Sequence, residues 1–230
     1  MNYSQIVVID FETTGLNPQT DYPTEIAIDV YERVGLGGFT LRTSIQRLIE
    51  LPQGVEIPAK ITELTGLTTE KVRAEGVHKG EILDFLENEV NHDALFVAHN
   101  ANFDLGFLYY HFGVEPLNFL CTRTIEVLTD PHFSASLKDA YKRYYPVSTN
   151  EQTHRASDDT KMTYELLEGQ LRYGVNVEFF VNLMVNMPDR ELKFVPVEAT
   201  VLDFTKKYVS RSEYEKLQKE LEGLRKAAKQ

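Results

Sequence analysis

Two carboxylates one residue apart close an apolar run: Ile9-Asp10-Phe11-Glu12-Thr13-Thr14-Gly15-Leu16. Side chains alternate along a strand, so Asp10 and Glu12 emerge on the same face. Side by side they could chelate a hard cation through oxygen. Buried without one, each would raise the other's pKa. A solvated acidic turn would use the same residues. A second segment, Val97-Ala98-His99-Asn100-Ala101-Asn102-Phe103-Asp104, runs from an apolar strand into an amide-rich turn, and Asp104 is expected to open a helix. Asp is a favoured N-cap, and His99, Asn100 and Asn102 suit turn hydrogen bonds. The functional alternative is that Asp104 aims a third carboxylate at the strand end carrying Asp10 and Glu12. A third segment, His154-Arg155-Ala156-Ser157-Asp158-Asp159, leads into a long helical pattern. His154 on the approach and Asp159 in the first turn can face one cavity. Histidine, with an ordinary pKa of about 6.5, suits a general base. Acids at a helix N-terminus are also favoured by its dipole. Each segment alone has a bland explanation. Together, four carboxylates and one histidine at element ends match what a two-metal phosphodiester hydrolase needs, with cations about 3.5–4 Å apart.

The elements that must position them alternate in type. Gln5 to Ile9 reads as a buried strand, Glu25 to Val34 as a second, and Phe39 to Ile45 as a third beyond a glycine turn. Ile61 to Leu64 suggests a short helix, Glu81 to Val90 a longer one, and Asp93 to Ala98 another buried strand. Further helices are expected at Asp104–Phe112, Thr122–Leu128, Leu137–Tyr144 and Ala156–Tyr173. Strands first, then strands alternating with helices, imply an α/β fold with a mixed sheet covered by helices. After Gly174 the pattern changes: Phe179 to Met187 is apolar, Pro188 and Pro196 interrupt, and the end is a charged helix. There Tyr214, Leu217, Leu221, Leu224 and Ala228 recur at three- and four-residue steps. That stripe fits a helix packing on its own body, or a contact for a polymerase or a second copy of the chain.

The 230 residues, 42% apolar and 26% charged, have ordinary globular composition, which excludes wholesale disorder. No apolar run is long enough to cross a membrane as a helix. Met1 to Gln5 lacks the basic and apolar regions of a signal peptide. A lone Cys121 builds neither an intrachain disulfide nor a cysteine metal cage, so a cytoplasmic, reducing setting is expected. The net charge is −11; Thr205 to Gln230 carries +4, leaving −15 on the first 204 residues. That argues against gripping nucleic acid mainly through lysine and arginine, but not against meeting phosphate through divalent cations. His78, His92, His111 and His132 lack metal-ligand spacing, and Asp21, Asp139 and Arg123 carry no evident role.

The three segments, in this order, resemble the three exonuclease motifs of the DnaQ-like, DEDDh-type 3′-to-5′ exonuclease superfamily, which includes the polymerase III epsilon subunit, ribonuclease T, oligoribonuclease and exonuclease X. Asp10 to Gly15 matches Asp-x-Glu-Thr-Thr-Gly, His99 to Asp104 matches the second motif, and His154 with Asp159 matches His, four residues, Asp. The resemblance covers about Gln5 to Tyr173. It implies an RNase H-like fold, a mixed central sheet flanked by helices, over 1–174. Beyond it lie an unassigned or linker segment over 175–209 and a basic helical appendage over 210–230. It implies that Asp10, Glu12, Asp104 and Asp159 bind two Mg²⁺ or Mn²⁺ and that His154 is the general base. The implied reaction releases nucleoside 5′-monophosphates from 3′ ends, with single-stranded DNA favoured. A proofreading subunit acting inside a polymerase complex, or an exoribonuclease, are the alternatives. Thr13 and Thr14 would lie near the terminal sugar, Leu16 would wedge at the terminal base, and Thr65, His99 and Asn100 would also approach substrate.

Overall fold

The computed structural model describes residues 2–35, 38–148, 154–205 and 211–227, and in the last helix the side chains of 215–224 and 226. The apolar run after Ser4 becomes the middle strand, β1 (Gln5–Thr13). On one side it pairs antiparallel with β2 (Pro23–Val34), which pairs antiparallel with β3 (Gly38–Leu48). On the other side it pairs parallel with β4 (Leu95–Ala98), and β4 pairs parallel with β5 (Asn118–Cys121). The order β3-β2-β1-β4-β5 is the expected mixed sheet, with β2 and β3 longer than their apolar patterns suggest.

Alternation along β1 divides the core. Val7, Ile9 and Phe11 pack with Ile82 and Leu86 of α3 (Lys79–Glu89) and Leu105 and Phe107 of α4 (Ala101–Phe107). Ile6 and Val8 pack on the opposite face with Ile125 and Leu128 of α5 (Thr122–Thr129) and Tyr164 and Leu167 of α7 (Ala156–Arg172). Two short helices, α1 (Ala59–Thr65) and α2 (Thr69–Glu75), follow β3, and α6 (Leu137–Tyr144) packs on α7 through Tyr141, Met162 and Leu166. The α4 helix starts at Ala101, three residues before the expected Asp104, because Asn100 takes a left-handed backbone (φ 88°) that turns the chain sooner. Asp104 therefore sits in the first turn and is not the N-cap. The helix then widens into a π turn over Leu108–Phe112 and stops at Gly113 (φ 72°).

The segment expected as a linker is folded onto the sheet. A 3₁₀ turn, Val177–Phe180, leads to a parallel pair, β6 (Leu183–Asn186) and β7 (Thr200–Asp203). Val181 bridges to Leu120, and the Asn182 N–H donates to the Phe119 carbonyl at 2.8 Å. Phe180, Val185 and Leu202 join the core on the α5–α7 side, and Met184 and Phe194 join the other. The last helix, α8 (Arg211–Ala227), meets α5, with Leu221 and Leu224 partly buried. Ala228 and the Tyr214 side chain, both part of the expected stripe, lie outside the described residues.

Candidate active site

The carboxyl ends of β1 and β4 and the amino end of α7 converge. In the β1–β2 ladder the register shifts between Glu12 and Thr13, so the strand bends just past its two acids. The chain then turns tightly. The Thr14 N–H donates to the Tyr22 carbonyl at 2.8 Å, and the Tyr22 N–H donates to Thr14 Oγ1 at 2.9 Å. A β-carbon at Gly15 would collide with the Asp21 carboxylate, which accepts the Asn17 N–H at 2.8 Å. That close approach explains both the glycine and a role for Asp21 in holding the turn.

Asp104 is buried, and its Oδ1 accepts the N–H of Phe11, the residue between the two strand acids, at 3.1 Å. The amide-rich turn before it is internally satisfied. Asn102 Nδ2 donates to Asn100 Oδ1 at 3.0 Å, and Asn102 Oδ1 accepts the Lys193 N–H at 3.2 Å. His99 engages Thr122 Oγ1 and the Ala135 carbonyl, each at 2.9 Å, so both ring nitrogens are taken within the protein. Burial pushes its pKa down to about 3, so the ring stays neutral.

Asp159 arrives from the first turn of α7, and one carboxylate oxygen from each of Asp10, Glu12 and Asp159 lies within 4.8 Å of the others. Three ties to β2 set the pose of α7. Thr160 Oγ1 donates to Asp29 Oδ2 at 2.8 Å, and the Tyr164 ring stacks on Tyr31 at 3.6 Å. The third tie is Glu25, a buried carboxylate paired in register with Glu12. It accepts from Arg155 Nε at 3.0 Å, from a second Arg155 nitrogen, and from the Ala156 N–H at 3.2 Å. Gln46 also donates to it at 2.8 Å. Glu25 thus holds the start of α7 beside His154, a half-buried residue with a left-handed backbone (φ 52°). Sequence reasoning missed Glu25. Its one signal was a charged residue at the start of the strand's apolar and polar alternation, Glu25-Ile26-Ala27-Ile28.

Crowded acids resist ionisation. Burial, then the Asp104, Asp159, Glu12 and Glu25 charges, raise the Asp10 pKa well above the usual range. Burial, then Asp159, Glu25 and Asp104, push Glu12 up to about 8, with Arg155 opposing. Burial also raises Asp104, although the bond from the Phe11 N–H opposes it. An all-oxygen donor set under this repulsion fits hard divalent cations, which would neutralise it. Asp10, Glu12 and Asp159 would hold one ion, and Asp104, acting on Asp10 from α4, would help hold a second.

The remaining expected residues spread outward. Thr13 and Thr14 are buried at the strand end, Thr13 Oγ1 donating to the Gly15 carbonyl at 2.5 Å. Leu16 is 75% exposed at the turn. Thr65 closes α1, donating to the Ile61 carbonyl at 2.9 Å and accepting the Leu67 N–H at 3.1 Å.

Residues 7–167 match the exonuclease family typified by ribonuclease T. The chain is 31% identical over 172 residues to the 3′-5′ exonuclease DinG of Bacillus subtilis, spanning 71% of this chain and 17% of that protein. It is 41% identical over 105 residues to the PolC-type DNA polymerase III of Thermotoga maritima, spanning 44% of this chain and 7% of the polymerase. The chain therefore covers a small part of these relatives. Among solved structures, exonuclease X in complex with 5′ overhanging duplex DNA superposes with a TM-score of 0.55 at 24% identity, covering 75% of this chain and 95% of that one. The nuclease domain of 3′hExo, a DEDDh family member bound to rAMP, gives 0.60 at 14% identity, covering 75% and 94%. These likenesses confirm the RNase H-like fold. With its motifs gathered at one sheet end and the family match running into α7, the chain belongs to that exonuclease family.

Proposed function

We propose that the chain is a metal-dependent 3′-to-5′ exonuclease that removes nucleoside 5′-monophosphates from single-stranded 3′ ends, with DNA preferred. The observation that carries this reading is the cluster of Asp10, Glu12 and Asp159, with Asp104 against it and His154 just before α7. Bound Mg²⁺ or Mn²⁺ would supply charge stabilisation for the phosphate and lower the pKa of water. His154 takes the proton from the attacking water. Water oxygen bonds to phosphorus, the bond from phosphorus to the 3′-oxygen breaks, and that oxygen takes a proton from solvent water to become the 3′-hydroxyl of the shortened strand. The Thr13–Gly15 turn lies against the terminal sugar, and exposed Leu16 wedges at the terminal base. Asn100, in its left-handed turn, faces the strand beside Asp104. His99 and Thr65, whose polar atoms are engaged internally, shape the surroundings through position. The DNA preference draws on PolC and on the DNA-bound exonuclease X.

The test is degradation of 5′-labelled single-stranded DNA and RNA of one sequence with Mg²⁺, with Mn²⁺ and with EDTA. The expected outcome is a metal-dependent 3′ ladder, stronger on DNA, that Asp10→Ala abolishes and His154→Ala slows by about 10²–10⁴-fold. Full activity in Asp10→Ala would sink the assignment, and stronger RNA laddering would replace DNA with RNA. The PolC likeness favours a second reading, a proofreading domain working beside a polymerase. Under that reading the chain cleaves poorly alone and is recovered with a polymerase partner.

A further inference from the structure

A polar cavity opens at the same carboxyl end of the sheet. It measures about 380 Å³ and is lined by Arg123, Arg190, Asp189, Ser134, Ser136 and Phe133 among others. Its place follows from register: Val8 pairs with Val97, Val97 with Leu120, and Ala98 with Cys121. Two residues further on, Asp10, His99 and Thr122 stand level. With strands about 4.8 Å apart, Thr122 lies about 10 Å from Asp10, and Arg123 follows it. Ligands of such sheets gather beyond the carboxyl ends of parallel strands.

The positive charges there are only partly compensated. Arg123 is half-buried, Arg190 faces the same cavity, and neither side chain has a hydrogen bond or ion pair among the described residues. Asp189 also lines the cavity, so two guanidiniums face one carboxylate. Arg143, nearby, is already neutralised by Glu126 and donates to the Ser134 carbonyl at 2.7 Å. Burial and the Arg190 charge lower the Arg123 pKa, and the charges of Arg123, Arg190 and Arg143 all add to the depression of His99. Like charges sharing a partly desolvated cavity call for an anion. Phe133, 60% exposed, stands at the rim with the Arg143 guanidinium 5.7 Å from its ring centre. An aromatic face beside guanidiniums suits a base stacked next to its phosphate. Met187, Asp189 and Arg190 lie beyond residues 7–167, so three of the ten lining residues come from the chain's own extension and not from the family domain.

We propose that this cavity holds a backbone phosphate of the nucleic-acid strand away from the scissile bond, with Arg123 and Arg190 as its cationic partners and Phe133 stacking an adjoining base. The inference rests on a nucleic-acid substrate but not on the direction of cleavage. The test uses the full chain with Arg123→Ala, Arg190→Ala, the double variant and Phe133→Ala. Binding of a fluorescent single strand is followed against salt in EDTA. In parallel, KM and kcat are measured with Mg²⁺ on the same strand and on p-nitrophenyl thymidine 5′-phosphate, whose single phosphate fills only the scissile position.

The double variant should raise KM for the strand about tenfold with kcat within about twofold, and flatten the salt slope by about 0.7, the share of one single-strand phosphate. Phe133→Ala should weaken binding without changing that slope. Arg190→Ala, at an exposed position, should show about a threefold effect by itself, and it keeps the test valid if Arg123→Ala does not fold. A double variant with unchanged strand KM and salt slope overturns the proposal, as does equal loss on the p-nitrophenyl ester, which would mean collapse of the metal centre. A pocket that loses affinity for free thymidine 5′-phosphate but not for the strand also overturns it in favour of a mononucleotide site. If the intact chain cleaves neither substrate, the exonuclease reading falls while the salt-dependent binding still decides the cavity.

Discussion

At the scale of single residues, the metal centre is a liability the fold tolerates. A carboxyl whose pKa is raised on folding binds a proton that the unfolded chain has already lost. Stability therefore falls as pH rises from about 4.5 and is fully lost to that group above the folded pKa. For Glu12 that window ends at about 8, and Asp10 and Asp104 shift in the same direction. In EDTA, the melting temperature should drop by several degrees between pH 5.5 and pH 8, and Mg²⁺ should restore it. Asp10→Asn should melt higher than the natural chain in EDTA at pH 8 while cleaving nothing. Calorimetry across this range checks both statements, and an Asn variant that melts lower contradicts the account of repulsion. The acids themselves were legible because Asp-x-Glu and His-x₄-Asp are local spacings. Glu25 and Arg123 were not, because their importance comes from neighbours over a hundred residues away or from what they lack.

At the scale of elements, the position of Asp159 depends on how α7 is fastened to β2. Arg155 joins Glu25 across 130 residues of sequence, and Thr160 joins Asp29 across 131. Removing one partner of a buried pair leaves a charge stranded. Arg155→Ala should therefore cost about 1–3 kcal/mol in urea unfolding, the lower part of the usual range because the guanidinium is partly solvated. Adding Glu25→Gln should recover part of that loss. Both variants should lower kcat more than they raise KM, since they loosen the backbone that presents His154. Recovery failing in the double variant would show that the pair acts through packing alone. Helix α6 was readable to the residue, and α7 to within one residue at its end, because long amphipathic patterns have clear stops. The early start of α4 turns on one left-handed asparagine, and the four-residue strands β6 and β7 are too short for periodicity to show.

At the scale of the whole molecule, the sheet has two edges that are treated differently. On the outer edge, β3 carries Arg42 and Arg47, bonded to Glu32, Glu89 and Glu81. Such charged side chains discourage another strand from adding there. On the far edge, β5 is short and apolar, with Phe119, Leu120 and Cys121 buried, and it is covered by Val181 and Asn182. The composition shift after Gly174 reads as a domain boundary, yet the residues beyond it pack on the same sheet. A chain ending at Gly174 should keep the four acids and His154 yet elute in light scattering as large oligomers, while deletion of 211–230 should leave a dispersed protein. A monomeric, active 1–174 fragment would contradict this. The extension is thus a selvedge: it finishes an edge that would otherwise ravel into neighbouring copies. Its fate is tied to solubility before it is tied to any ligand, so surface changes along 177–203 should be judged first by how much protein stays in solution.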